Sequence, residues 1–247
     1  MRLLLLFASV CALARADPLT DLRAKLATLT GRDPVRAAVT YAFWNRRGDD
    51  KTPIVQESRI SALAEEGPEG LRVTWAPELV SQVAAELRGQ SEDPEAKTPT
   101  RLAMNDLNAV RLNGYLNAAP DILTRLQKAQ LLEETFVPLK GQTVRHLLLR
   151  LSPPLSAHDR KYVKELDATA QIWIGADGVP LSGEVRVRIK GRALLVLAFE
   201  SDDEESLEFA RTGDRLVVVR DTKRTRTSGA GEAIEQRTSA SLTLGAP

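Results

Sequence analysis

Cysteine is nearly absent: Cys11 is the one thiol in 247 residues. Any part of the chain that excludes Cys11 can form no disulfide within itself, offer no thiol nucleophile and build no thiolate metal site. Histidine is almost as scarce, with His146 in the run TVRHLLLRL and His158 in SAHDRK. His146 reads as a packing residue of a strand. His158 reads as a solvated loop residue that no metal-ligand spacing links to anything else. The nucleophile elbow Gly-x-Ser-x-Gly, the dinucleotide fingerprint, the phosphate loop and His-Glu-x-x-His are all missing. No excess of one charge exists either, with 34 basic against 33 acidic side chains. That balance argues against a nucleic-acid or anionic-membrane binder.

Long apolar runs are lacking too, with one short exception at the start. Residues 3–13 (LLLLFASVCAL) carry no charge, follow Met1-Arg2 and precede Ala14-Arg15-Ala16. This is the pattern of a secretory signal cleaved after Ala16, and it falls well short of the roughly 20 residues that span a bilayer as a helix. A lipoprotein reading, with Cys11 acylated, is disfavoured because Val10 stands where a small residue is wanted. Cleavage makes residues 17–247 the mature chain, free of cysteine. With Arg2 and Arg15 gone, 32 of the 34 basic side chains remain against 33 acidic ones. The expectation is a periplasmic or secreted domain with no transmembrane segment. A chain of this size has core enough to fold without disulfides.

What is present divides into two halves. Residues 17–29 space Leu19, Leu22, Leu26 and Leu29 at three and four, a helical stripe with Asp17 as N-cap, Pro18 at the first position and Gly31 as stop. Residues 35–46 read as a strand, and 54–63 with 70–75 as a hairpin around EEGPEG. Pro77 opens a helix with Leu79, Val80, Val83, Ala84 and Leu87 on one face and Gly89 at its end. Residues 90–100 (QSEDPEAKTPT) read as a mobile polar loop, and 102–116 and 120–129 as helices.

From residue 131 the apolar period falls from about 3.6 to 2. Strands are expected at 131–137, 143–151, 166–174, 181–190, 193–200, 206–211, 215–223 and 233–244, joined by short turns as an antiparallel meander. Residues 193–199 (ALLVLAF) and 216–219 (LVVV) are apolar on both faces and call for cover on both sides. Asp202-Asp203-Glu204-Glu205 lacks the spacing and glycine of a calcium loop and reads as a solvated hairpin tip. Lys223, Arg224 and Arg226 read as an exposed edge. The implied fold class is α+β: a curved antiparallel sheet, an unclosed half-barrel, with helices on its concave face.

Apolar surface exceeds what a few short helices need to cover, and several aromatics fall on or beside strands. The candidate lining of a hydrophobic cavity is Trp44, Trp75, Phe136, Trp173, Leu195, Leu197 and Phe199; the alternative, which composition alone favours, is that such residues simply form the core between sheet and helices. No catalytic, metal or cofactor residue is assigned.

The order of elements resembles the LolA-like periplasmic lipoprotein carriers. A leucine-striped helix precedes a strand ending in Tyr41, Phe43 and Trp44, a helical middle follows, and Gly141-Gln142-Thr143-Val144-Arg145-His146-Leu147 is similar to the family's glycine-led strand. The closest segment is Ala170-Gln171-Ile172-Trp173-Ile174-Gly175-Ala176-Asp177-Gly178-Val179-Pro180-Leu181, with Gly175 where an acid is common. The long 90–129 segment departs from the compact carriers. The resemblance implies an unclosed half-barrel that binds acyl chains or lipidated clients and has no enzymatic activity. A monomer is expected. The alternative reading is an envelope sensor or adaptor that docks a protein partner on the sheet.

Overall fold

The computed structural model describes residues 17–48, 52–193, 197–229 and 232–245. The leader 1–16, and with it Cys11, lies outside the described residues.

Helix α1 (Pro18–Ala27) opens as its sequence predicts. The Asp17 carboxylate accepts from the Leu19 amide at 3.4 Å and from the Thr20 hydroxyl at 3.0 Å. It thereby satisfies a donor that the first helical turn leaves free. Leu19, Leu22, Leu26 and Leu29 are all buried. Strands β1 (Val35–Gly48), β2 (Ile54–Gly67) and β3 (Gly70–Trp75) follow, then helices α2 (Pro77–Glu92), α3 (Pro99–Asp106), α4 (Ala109–Leu116) and α5 (Ala119–Leu126). Seven strands complete the chain: β4 (Gln130–Leu139), β5 (Gln142–Arg150), β6 (Val163–Ile174), β7 (Pro180–Ala193), β8 (Leu197–Thr212), β9 (Arg215–Gly229) and β10 (Glu232–Leu244).

All ten strands form one antiparallel sheet in the order β3-β2-β1-β10-β9-β8-β7-β6-β5-β4. The sheet is not closed into a barrel, since β3 and β4 remain edges. The α+β class and the open antiparallel sheet are as the sequence implies. Strand register puts one buried row across it. Ala37, Val39 and Tyr41 stand beside Ala64, Ala62 and Ile60 on one flank, and Val39 and Tyr41 beside Leu242 and Ala240 on the other. Farther along, Leu147 and Leu149 stand beside Ile172 and Ala170. Because strand side chains alternate, this row is a single apolar face, and α1 and α3–α5 pack on it. Leu216, Val217 and Val218 are buried at consecutive positions, as their two-sided apolar character requires.

Six expectations change. Residues 206–211 belong to one sixteen-residue strand, β8, that begins at Leu197. The strand expected at 193–200 is divided between two: Ala193 ends β7, Leu197 begins β8 and pairs with it, and 194–196 lie outside the described residues. The acidic run is mid-strand, not a hairpin tip. Asp202 lies between Arg188 and Arg226, and Glu204 between Arg186 and Arg224. Arg186 pairs with Glu204, and Arg188 with Asp202 at 3.5 Å. Opposite charges directly across strands hold an acidic row in register that would otherwise repel itself. Lys223, Arg224 and Arg226 sit at the sheet centre on β9, flanked by β8 and β10, and not at an edge.

The predicted helix 102–116 is two helices. Asn108 breaks it and caps α4, its side chain accepting from the Arg111 amide at 3.0 Å. The predicted loop 90–100 is short, because α2 runs to Glu92 and α3 starts at Pro99. The Glu86 carboxylate accepts from the Thr100 and Arg101 amides at 3.0 and 2.9 Å, capping α3 from a neighbouring helix.

Candidate functional site

Helices α4 and α5 do not lie flat on the sheet. Between them and β6–β9 is a cavity of about 550 Å³, within the ~300–1,000 Å³ range of small-molecule pockets. Its apolar wall is built by Ile122 on α5 and by Ile172, Val185, Leu207, Phe209 and Val218 from the sheet. Gly114 keeps α4 close to α5: a Cβ there would stand 2.9 Å from an Asp121 carboxylate oxygen.

Polar groups gather at one part of the wall. Arg111 and Tyr115, four apart on α4, point the same way. The Tyr115 hydroxyl donates to Asp221 Oδ2 at 2.6 Å. Arg125 of α5 donates to Glu205 of β8 at 2.7 Å. Arg111 donates to the Tyr41 hydroxyl at 2.7 Å and to Asp106 at 3.1 Å, while Tyr41 donates to Asp106. Lys223 also lines the cavity.

Asp221 is 3% exposed, and among the described residues its Oδ1 has no hydrogen-bond partner. Burial pushes its pKa up to about 6, against the Tyr115 hydrogen bond, with the nearby Glu205 charge adding to the rise. Burial likewise raises the Tyr115 phenol, and the Asp221 charge reinforces it. The site thus offers an apolar slot, a buried carboxylate with a free acceptor, and two arginines already held by acids. Nothing in it resembles a nucleophile activated by a base. No cluster of three or more metal-ligating side chains occurs among the described residues.

No protein-family model matches this sequence, and none of the curated proteins does. The chain is similar to a chain of the Pseudomonas aeruginosa MucA/MucB complex, at 9% identity over 92% of this chain and 94% of that one, with a TM-score of 0.22. It is similar in the same degree to a chain of a MucB complex with MucA(peri), at 10% identity over 91% and 94%, also with a TM-score of 0.22.

None of the described sequence-predicted side chains lines this cavity. Trp44 follows the buried Phe43 and so takes the opposite face of β1, where the Arg237 guanidinium lies 4.8 Å from its ring centroid. Trp173 sits between buried Ile172 and Ile174 and also faces away from the helices, 4.9 Å from the His146 ring. Trp75, the last residue of edge strand β3, is half-buried and packs against the core away from this cavity. Phe136 is 59% exposed on edge strand β4. Phe199 is half-buried against Gly191 and borders a shallow surface depression. Leu195 and the Leu197 side chain lie outside the described residues.

His146 bonds Thr135 and Gln171 at 3.2 and 3.1 Å, which occupies both ring nitrogens. His158 stacks edge-on against Tyr162. Both are as the sequence reading has them. Sequence reasoning missed Asp221. A β-bulge where Glu208/Phe209 meet Val218 and Arg220 leaves Val219 without a partner and shifts the alternation. Val218 and Asp221, an odd number apart, therefore share the cavity side.

Proposed function

We propose that this chain is a non-enzymatic binding protein that works outside the cytoplasm and takes a lipid acyl chain, free or on a lipidated client, into the cavity under α4 and α5. The observation that carries the reading is the cavity itself: about 550 Å³ between helices and sheet, with apolar side chains from six structural elements along its length. An acyl chain gains roughly 0.8 kcal/mol per buried methylene, so ten methylenes supply about 8 kcal/mol before ordering costs. The apolar leader and Ala14-x-Ala16 support export to a compartment where such clients move between membranes. No helix among the described residues is long and apolar enough to cross a membrane.

The test is a titration of the purified 17–247 chain with a fluorescent fatty acid, beside mass spectrometry of co-purified lipid. Saturable one-to-one binding supports the reading. Val185→Glu should abolish it with the circular dichroism unchanged, because Val185 is only half-buried and faces the cavity. Protein that carries no lipid, binds no fatty acid and instead captures an envelope protein would replace the carrier with an adaptor.

A further inference from the structure

Asp221 is the most unusual group in the cavity, because it lacks what a buried carboxylate normally has. It is 3% exposed, one oxygen is held by Tyr115, and the other has no partner among the described residues. The charges facing it come from every element packed around it: Arg111 and Tyr115 from α4, Asp121 and Arg125 from α5, Glu205 from β8 and Lys223 from its own strand. Two of the three cations are committed elsewhere, Arg125 to Glu205 and Arg111 to Asp106. Lys223 makes no ion pair within 4 Å among the described residues. The β10 residue beside Asp221 is Ala240, which offers no charge. A buried carboxylate in that position is short of one donor and one counter-charge.

We propose that the cavity selects amphiphiles with an ammonium head, which pairs with the Asp221 carboxylate while the chain lies against Ile172, Val185, Leu207 and Phe209. This rests on the acyl-binding reading and specifies the head group it leaves open. An ammonium supplies both missing features: N–H donors and a positive charge in a dry site. A carboxylate head would bring a second negative charge beside Asp221 and Glu205. An alcohol would supply the donor without the charge. Because the pKa of Asp221 in the empty site is about 6, the carboxylate is mostly ionised at pH 7 and mostly protonated at pH 5. Ammonium binding should weaken about tenfold between those values as its counter-charge is lost.

The experiment displaces Nile red, a neutral probe, from the 17–247 chain with dodecylamine, dodecanol and dodecanoate, each kept below its micelle concentration, at pH 7 and pH 5. Dodecylamine should bind at least tenfold more tightly than the other two at pH 7, the size of a buried charge-assisted hydrogen bond. Asp221→Asn should cancel that preference while keeping Tyr115 as donor, with a melting temperature at or above the parent's as proof of folding. If all three bind equally, or Asp221→Asn leaves the preference intact, the head-group inference fails and acyl binding stands. If neither Nile red nor any amphiphile binds, both fail.

Discussion

Replacing Asp221 by asparagine should make the empty protein more stable, and only where the native side chain is charged. The folded-state pKa of Asp221 is raised from 3.8 to about 6, and burial is the leading cause. An acid with a higher pKa when folded holds its proton more tightly in the native state. Its contribution is therefore most favourable below pH 3.8, declines as pH rises through the interval up to about 6, and is level above it. The gap corresponds to about 3 kcal/mol of destabilisation at neutral pH. Asparagine has no proton to lose and keeps an oxygen for Tyr115. The variant should exceed the parent by about 3 kcal/mol at pH 7, and by less than about 1 kcal/mol at pH 4. Urea unfolding of both proteins at the two pH values measures this directly. Taking the difference between the proteins removes carboxylates that titrate the opposite way, such as Asp214, Glu204 and Glu235, whose pKa values are lowered by hydrogen bonds and neighbouring arginines. A stability difference that is equal at pH 4 and pH 7, or that favours the parent at pH 7, would refute the argument that Asp221 is an uncompensated buried charge.

Other outcomes follow from the same packing. Arg215 is buried and pairs with Glu66 at 2.7 Å, so Glu66→Gln leaves a cation without its partner and should cost about 3 kcal/mol in denaturant unfolding. Gly213 has φ +56°, and a Cβ there would run into the Asp33 carboxylate. Gly213→Ala should therefore lower stability by about 2 kcal/mol by the same assay. N-terminal sequencing of exported protein should begin at Asp17; a chain starting at Met1 or Cys11 would contradict the leader reading. Replacing His146 or His158 by alanine should leave amphiphile affinity within a few-fold, since both lie outside the cavity lining.

The elements legible in the sequence are those fixed by local signals. The leucine stripe and Asp17 cap define α1, and the hairpin around Asp177-Gly178 follows from its turn chemistry, with Gly178 at φ +80°. The alternation of 184–190 gives β7. The acidic run was not legible, because its role depends on Arg186 and Arg224 arriving opposite it from two other strands. The cavity was not legible for a related reason. Strand-borne tryptophans look like pocket walls until alternation is anchored to a buried neighbour, as Phe43 does for Trp44. Asp221 was hidden by a one-residue bulge, which no period-2 reading can place. Asn108, in contrast, carried a visible helix-cap signal: an asparagine after Leu107 that starts a new helix rather than sitting within one.

The pairing of β1 with β10, in which Ala37 meets Leu244, has a consequence for how the chain reaches this structure. Meanders β1–β3 and β4–β10 can each form from neighbours in sequence, but they become one sheet only when β10 pairs with β1. That contact closes nearly the whole polypeptide into a loop and comes late in folding. Until then the long edges of β1 and β10 are both unpaired, with Val39, Tyr41, Ala240 and Leu242 uncovered beside them. The interval before the final strand docks is when the chain is most exposed to pairing with another copy of itself. Stopped-flow refolding should show core fluorescence from Tyr41 and its neighbours reached in one slow phase that deletion of 232–245 abolishes.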